Sequence, residues 1–170
     1  MIKKGVDVLS SGKLTISKPE IVELDEVKLA GKSCSTTMEQ KDVKIPNMVE
    51  EFHVGDIQNI NNRINAPSSY GMYIDPPNWD PEKDEFTWFA AVEVSSFDEL
   101  PVGLEGKVIP AGRYASLRYN PVEHKEVEPY SYLYRWIKES EYEQVGDFGF
   151  EYYEPFVGEN TEYTLYFPIK

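Results

Sequence analysis

Apolar positions along this chain change their period several times, and each change marks an element. From Pro19, residues Ile21, Val22, Leu24, Val27 and Leu29 crowd into one extended segment, irregular around Glu23 and Asp25, which predicts an opening strand with a bend or bulge. Residues 31–42 are polar and read as a loop. Met48, Phe52, Ile57, Ile60 and Ile64 then recur at helical intervals and predict an amphipathic helix over 45–64, stopped by Ala66-Pro67-Ser68. Residues 70–74 form a short strand pattern cut by Asp75-Pro76-Pro77-Asn78. Residues 86–94 are apolar enough for a strand covered on both faces.

After a linker at Leu100-Pro101-Val102-Gly103 the order repeats, with extended or helical patterns at 106–119, 127–138, 148–154 and 161–169. The order of elements repeats better than the residues do. Two strand–helix–strand–strand modules, about 18–99 and about 106–170, predict an α+β domain over 18–170 with a helix packed on antiparallel sheet in each module. Residues 1–17 form an extension, either a tail or an extra edge strand. Clefts between modules favour ligand sites, so a groove is expected between the two halves.

Composition narrows the function. The 170 residues carry a formal net charge of −13, which repels phosphate backbones and argues against direct nucleic-acid binding. The 12 Tyr, 8 Phe and 3 Trp exceed what one would leave on a surface, so many rings must line a core, a cavity or an interface. Cys34 is the single cysteine, which fits a reducing compartment and builds neither a disulfide nor a thiolate cluster. His53 and His124 have no ligand spacing, and the clusters Glu23/Asp25/Glu26 and Glu139/Glu141/Glu143 read as solvated faces without calcium-loop spacing. No metal site and no cofactor are expected. With no signal-peptide core and no run of membrane-spanning length, the expected location is the cytoplasm, away from membranes.

One acid stands out. Glu151 lies inside Phe148-Gly149-Phe150-Glu151-Tyr152-Tyr153, where a bare carboxylate is costly to bury. Alternation places Gly149, Glu151 and Tyr153 on one face and Phe148, Phe150 and Tyr152 on the other. In the last strand Thr164 and Tyr166 share a face opposite Tyr163, Leu165 and Phe167. If the two strands are neighbours, Glu151, Tyr153 and Tyr166 can converge. A buried carboxylate can pair with a cation or handle protons, with a phenol such as Tyr166 as hydroxyl partner; a plain strand acid on a solvated face is the alternative. Around it, Tyr130, Leu133, Tyr134 and Ile137 form a core stripe, and Tyr132 with Trp136 an adjacent one that can overhang the groove. Trp88 and Phe89 point to opposite faces of one strand, and Trp88, the more amphipathic ring, is the preferred groove residue. Tyr73 and Tyr114 lie on strands near the groove, where ordinary packing competes with ligand contact. Trp79, in an acidic, proline-stiffened loop, is either a lid or part of a rigid surface loop.

The motifs I-P-A-G-R-Y at 109–114, Y-R-W at 134–136 followed by E-S at 139–140, F-E-Y-Y at 150–153 and Y-F-P-I-K at 166–170, preceded by P-E-I-V-E-L-D-E-V-K-L-A-G at 19–31, resemble the GyrI-like small-molecule-binding family in content and order. That domain is the effector-binding half of some AraC- and MerR-type regulators and also occurs alone. The resemblance implies two modules about a pseudo-twofold axis, with an aromatic ligand cleft centred on a glutamate at Glu151 and a tyrosine at Tyr166; Tyr153 matches more loosely. It also keeps Tyr134 and Trp136 as pocket candidates. No helix-turn-helix segment fits before residue 19, so a stand-alone member is expected. The function implied is binding of an aromatic, cationic or electrophilic drug- or toxin-type compound. The alternatives are hydrolysis of strained cyclopropane-type genotoxins with Glu151 as general base, as in some stand-alone members, and restraint of DNA gyrase as a protein partner.

Overall fold

The computed structural model describes residues 16–170. The extension expected over 1–17 therefore lies almost wholly outside the described residues. Eight strands and two α-helices follow in the order β1 (Glu20–Leu24), β2 (Val27–Thr36), α1 (Lys41–Val54), β3 (Ser69–Ile74), β4 (Phe86–Glu93), β5 (Glu105–Ile109), β6 (Gly112–Tyr119), α2 (Pro129–Lys138), β7 (Phe148–Tyr153) and β8 (Tyr163–Pro168). A short 3-10 turn, Asp56–Asn59, follows α1.

All strands belong to one antiparallel sheet in the order β1-β6-β8-β7-β3-β4-β2-β5. Its two halves, β2-α1-β3-β4 and β6-α2-β7-β8, repeat the predicted strand–helix–strand–strand module and join where β3 pairs with β7. The edge strands are exchanged: β1, leading into the first module, pairs with β6 of the second, while β5, leading into the second, pairs with β2 of the first. Only Asp25 and Glu26 separate β1 from β2, and only Pro110 and Ala111 separate β5 from β6. Such a link spans no more than about 11 Å, whereas six inter-strand spacings in a flat sheet make about 29 Å. The sheet must therefore curl until its two ends approach one another.

The curl makes a core without a helix. Leu29, Phe89, Ile109, Tyr114 and Phe150, from five different strands, are buried together on the concave face. The helices cover the convex face. Met48, Val49 and Phe52 of α1 pack over Ala30, Ala90 and Val92; Leu133 and Ile137 of α2 pack over Ala115, Leu117 and Leu165. A Glu128 side chain accepting the Tyr130 N–H at 2.9 Å and Pro129 in the first turn start α2 in the usual way.

Four element boundaries differ from the sequence expectation. The opening strand is two, β1 and β2, which part at Asp25-Glu26 and pair in opposite halves of the sheet. The segment over 31–42 is not all loop: β2 continues through Thr36, because Ser33, Cys34, Ser35 and Thr36 pair with Phe89, Trp88, Thr87 and Phe86 of an apolar neighbour that supplies the burial. The first helix ends at Val54, where Gly55 caps it, and Ile57 and Ile60 pack from the irregular segment beyond. The pattern over 106–119 is two strands that turn at Pro110-Ala111 and diverge to opposite ends of the sheet.

Phe89, fully buried on the concave face, belongs to the frame of the molecule. Phe89→Ala is expected to lower the free energy of unfolding by about 3–5 kcal/mol, measured by urea denaturation. A loss under about 1 kcal/mol would refute its place in the core.

Candidate functional site

Between α1 and α2, over the central strands, the convex face opens into a cavity of about 1420 Å³. Glycines at the middle of the sheet create the room. Gly71 of β3 faces Glu151 of β7 across the ladder, and Gly149 of β7 faces Tyr73 of β3. A Cβ at Gly149 would stand 2.5 Å from the Tyr73 ring and 2.8 Å from Phe167; one at Gly71 would stand 2.4 Å from Trp88 Cζ2 and 2.7 Å from Tyr153 Oη. Large rings from neighbouring strands thus lie across both positions. Tyr70-Gly71-Met72-Tyr73 and Phe148-Gly149-Phe150-Glu151 occupy matching places in the two modules, so Tyr73 is the counterpart of Glu151.

Glu151 is held from two sides. Tyr153 Oη donates to Glu151 Oε1 at 2.6 Å, and Tyr130 Oη, from the first turn of α2, donates to Oε2. Burial pushes the Glu151 carboxyl above its usual range, a rise opposed by the two phenol hydrogen bonds and reinforced by Glu128. Burial, together with the Glu151 charge, pushes the Tyr130 and Tyr153 phenols far above theirs, so both stay protonated donors. Tyr73, Tyr130 and Phe167 pack with ring centroids 5.9–6.1 Å apart beside the acid. On the other flank Tyr153 meets Phe156 edge-on at 5.2 Å and Tyr163 at 6.0 Å, and Phe156 stacks on His53 at 4.6 Å.

The lining carries six carboxylates, from Asp42, Glu50, Asp75, Glu128, Glu151 and Glu159, against a single lysine, Lys41. Burial and the neighbouring Asp147 push Asp75 up to about 6. Burial pushes His53 down, and Arg63 adds to this, so the imidazole is neutral and does not offset the acids. The cavity is an aromatic container with a negative field, suited to a cation.

Of the residues expected from sequence, Glu151, Tyr153, Trp88, Tyr73 and Tyr134 line this cavity, Tyr134 at its half-exposed rim. Tyr166, Tyr114, Phe89 and Trp136 do not. Leu165 pairs with Glu151 and Tyr166 with Phe150, so Tyr166 lies on the concave face and cannot serve as hydroxyl partner to Glu151. This register decides the face, since a shift of one residue would turn every side chain of β8 over. Tyr114 and Phe89 are concave-face core, and the Tyr114 hydroxyl donates to Pro110 O at 2.6 Å. Trp136 packs against the cluster under α2.

Tyr130 and Tyr163 take the places that sequence reasoning gave to others. Tyr130 belongs to the predicted core stripe, but helical side chains lean toward the N-terminus, so from the first turn it reaches past the helix end to Glu151. The Glu128-Pro129 start was the available signal. The stretches 32–44 and 75–85, which none of the family motifs cover, both contribute: Met38 and Lys41 from the first, Asp75, Trp79 and Pro81 from the second. Trp79 donates to Asp84 O at 3.1 Å and packs edge-on against Phe86, a rigid loop that is also part of the cavity wall.

The sequence model of the GyrI-like small molecule binding domain matches residues 17–170. No curated protein matches in sequence. Among solved structures, the fold is similar to SAV2435 bound to tetraphenylphosphonium (TM-score 0.67, 13% identity, covering 91% of this chain and 94% of that one). It is also similar to the EcmrR C-terminal domain (0.66, 15%, 92% and 99%). A third likeness is to integron cassette protein VCH_CASS2 of Vibrio cholerae (0.65, 15%, 91% and 97%).

A carboxyl whose folded pKa is raised favours the fold below its unfolded pKa, and that contribution is lost as pH rises through the folded value. Glu151→Gln is therefore expected to melt at or above the wild-type temperature at pH 7, the difference closing as pH falls to about 4. A variant that melts well below wild type at pH 7 and not at pH 4 would show the charge to be stabilising and overturn this account.

Proposed function

The chain belongs to the GyrI-like small-molecule-binding family, and from that premise we propose that its cavity takes a lipophilic aromatic cation with Glu151 as the counter-charge. The observation that carries this reading is the carboxylate itself. It is half-buried, its pKa is raised, and among the described residues its hydrogen-bond partners are two neutral phenols; no salt bridge reaches it, and Lys41 acts on it only through its field. A ligand cation supplies the missing charge, and the ring faces around it add cation–π attraction of about 0.5–2 kcal/mol each. SAV2435, which shares the fold, is bound to a cation of this type.

The geometry supports binding over hydrolysis. Each oxygen of Glu151 is already engaged by a phenol that stays protonated. That arrangement suits a fixed anion better than a general base free to turn toward a water.

The expected outcome with tetraphenylphosphonium is that Glu151→Gln weakens binding by about 2–4 kcal/mol, read by calorimetry at pH 7.5. Unchanged affinity would remove Glu151 from the role. Protons compete with the cation for the carboxylates of the lining, so wild-type affinity should fall as pH drops through the raised Glu151 pKa. Glu151→Gln keeps Asp75, with its pKa pushed up to about 6, and should show only a smaller fall. Parallel pH profiles for the two proteins would assign the dependence to another group.

A further inference from the structure

One hydrogen-bond donor is left without a partner in the wall of this cavity. Trp88 is 8% exposed, and its indole Nε1 is buried with no acceptor among the described residues. An indole nitrogen can only donate, and a buried N–H without a partner in a native fold asks for an explanation. β4 presents Trp88 on the same face as Ala90 and Val92, toward α1 and the cavity. The bare Gly71 lets the indole cross β3: a Cβ there would meet Trp88 Cζ2 at 2.4 Å, Cε2 at 3.1 Å and Tyr153 Oη at 2.7 Å. Cε2 is bonded to Nε1, so the unpartnered N–H belongs to the indole edge that lies over Gly71, the place the Tyr153 hydroxyl also approaches. That tyrosine's own proton is committed to Glu151.

We propose that Trp88 Nε1–H is a recognition donor, and that the ligand of this cavity is a cation bearing a neutral oxygen acceptor, of carbonyl or ether type, which reaches the indole while the positive charge faces Glu151. The inference rests on the reading of Glu151 as counter-charge. The acceptor is neutral because the six carboxylates of the lining oppose an anionic one. His53 Nε2 is also buried and unpartnered in the same wall. A neutral imidazole nitrogen can accept as well as donate, so the donor role is assigned to Trp88.

The test uses phosphonium cations that differ only in an acceptor. Tetraphenylphosphonium serves as the reference, and analogues carry a 3- or 4-acetyl group on one ring, each matched by its isopropenyl isostere. Wild type is expected to bind an acetyl cation about five- to tenfold more tightly than its isostere, and Trp88→Phe to bind the two equally. In the ¹H–¹⁵N spectrum of wild type, the indole N–H peak that is absent from Trp88→Phe should shift downfield with the acetyl cation alone. Equal binding of every isostere pair by wild type, with that peak unmoved, would overturn the donor role while leaving Glu151 as counter-charge. Failure of wild type to bind any of the cations, tetraphenylphosphonium included, would overturn the underlying reading and this inference with it. Should Trp88→Phe not fold, the isostere ratio in wild type decides alone.

Discussion

Antiparallel pairing of β3 with β7 joins the two modules into one sheet, and most of the molecule's geometry follows from its register. It sets Gly71 opposite Glu151 and Tyr73 opposite Gly149, so each bulky or charged side chain on the cavity face has an empty place beside it. Without those gaps the rings of Tyr73, Trp88 and Tyr153 could not lie across the middle of the sheet. The exchanged edge strands hold the same junction from outside. Their two-residue links curl the sheet and give it a concave core, which frees the convex face to carry both helices and the space between them.

Glu151 shows how burial and hydrogen bonding divide the work. Desolvation disfavours the anion, the two phenols favour it, and the balance leaves a carboxyl that is harder to ionise than usual. The phenols also orient it, one from the strand that carries the acid and one from the helix that overlies it. The helix start, the strand alternation and the acid are thus parts of a single arrangement, and changing any one of them alters the state of the others.

Much of the fold was legible in the sequence, because alternation and helical spacing report directly on which face is buried. The repeated strand–helix–strand–strand order and the pairing of Glu151 with Tyr153 on one face came from that signal. What it could not carry was relative register. Whether the face of β8 with Tyr166 or the face with Tyr163 and Leu165 lies beside Glu151 depends on the register between β7 and β8, which alternation within either strand leaves open. Likewise Tyr130 is indistinguishable from the core stripe of α2 by spacing alone, since only its place at the first turn frees it to leave the core. The continuation of β2 through Ser33-Cys34-Ser35-Thr36 was hidden for another reason: a polar stretch became a strand because its neighbour β4 is apolar.

The two modules repeat a pattern, yet they fill one matching position differently, with Tyr73 in the first and Glu151 in the second. Two identical halves would have enclosed a container with no preferred direction, and a guest could have entered it in two equivalent ways. A phenol on one side of the axis and an acid on the other make the enclosure polar. The two headings of a guest charged at one end are then no longer equivalent, and this matching position is one source of that difference between modules whose residues have otherwise diverged.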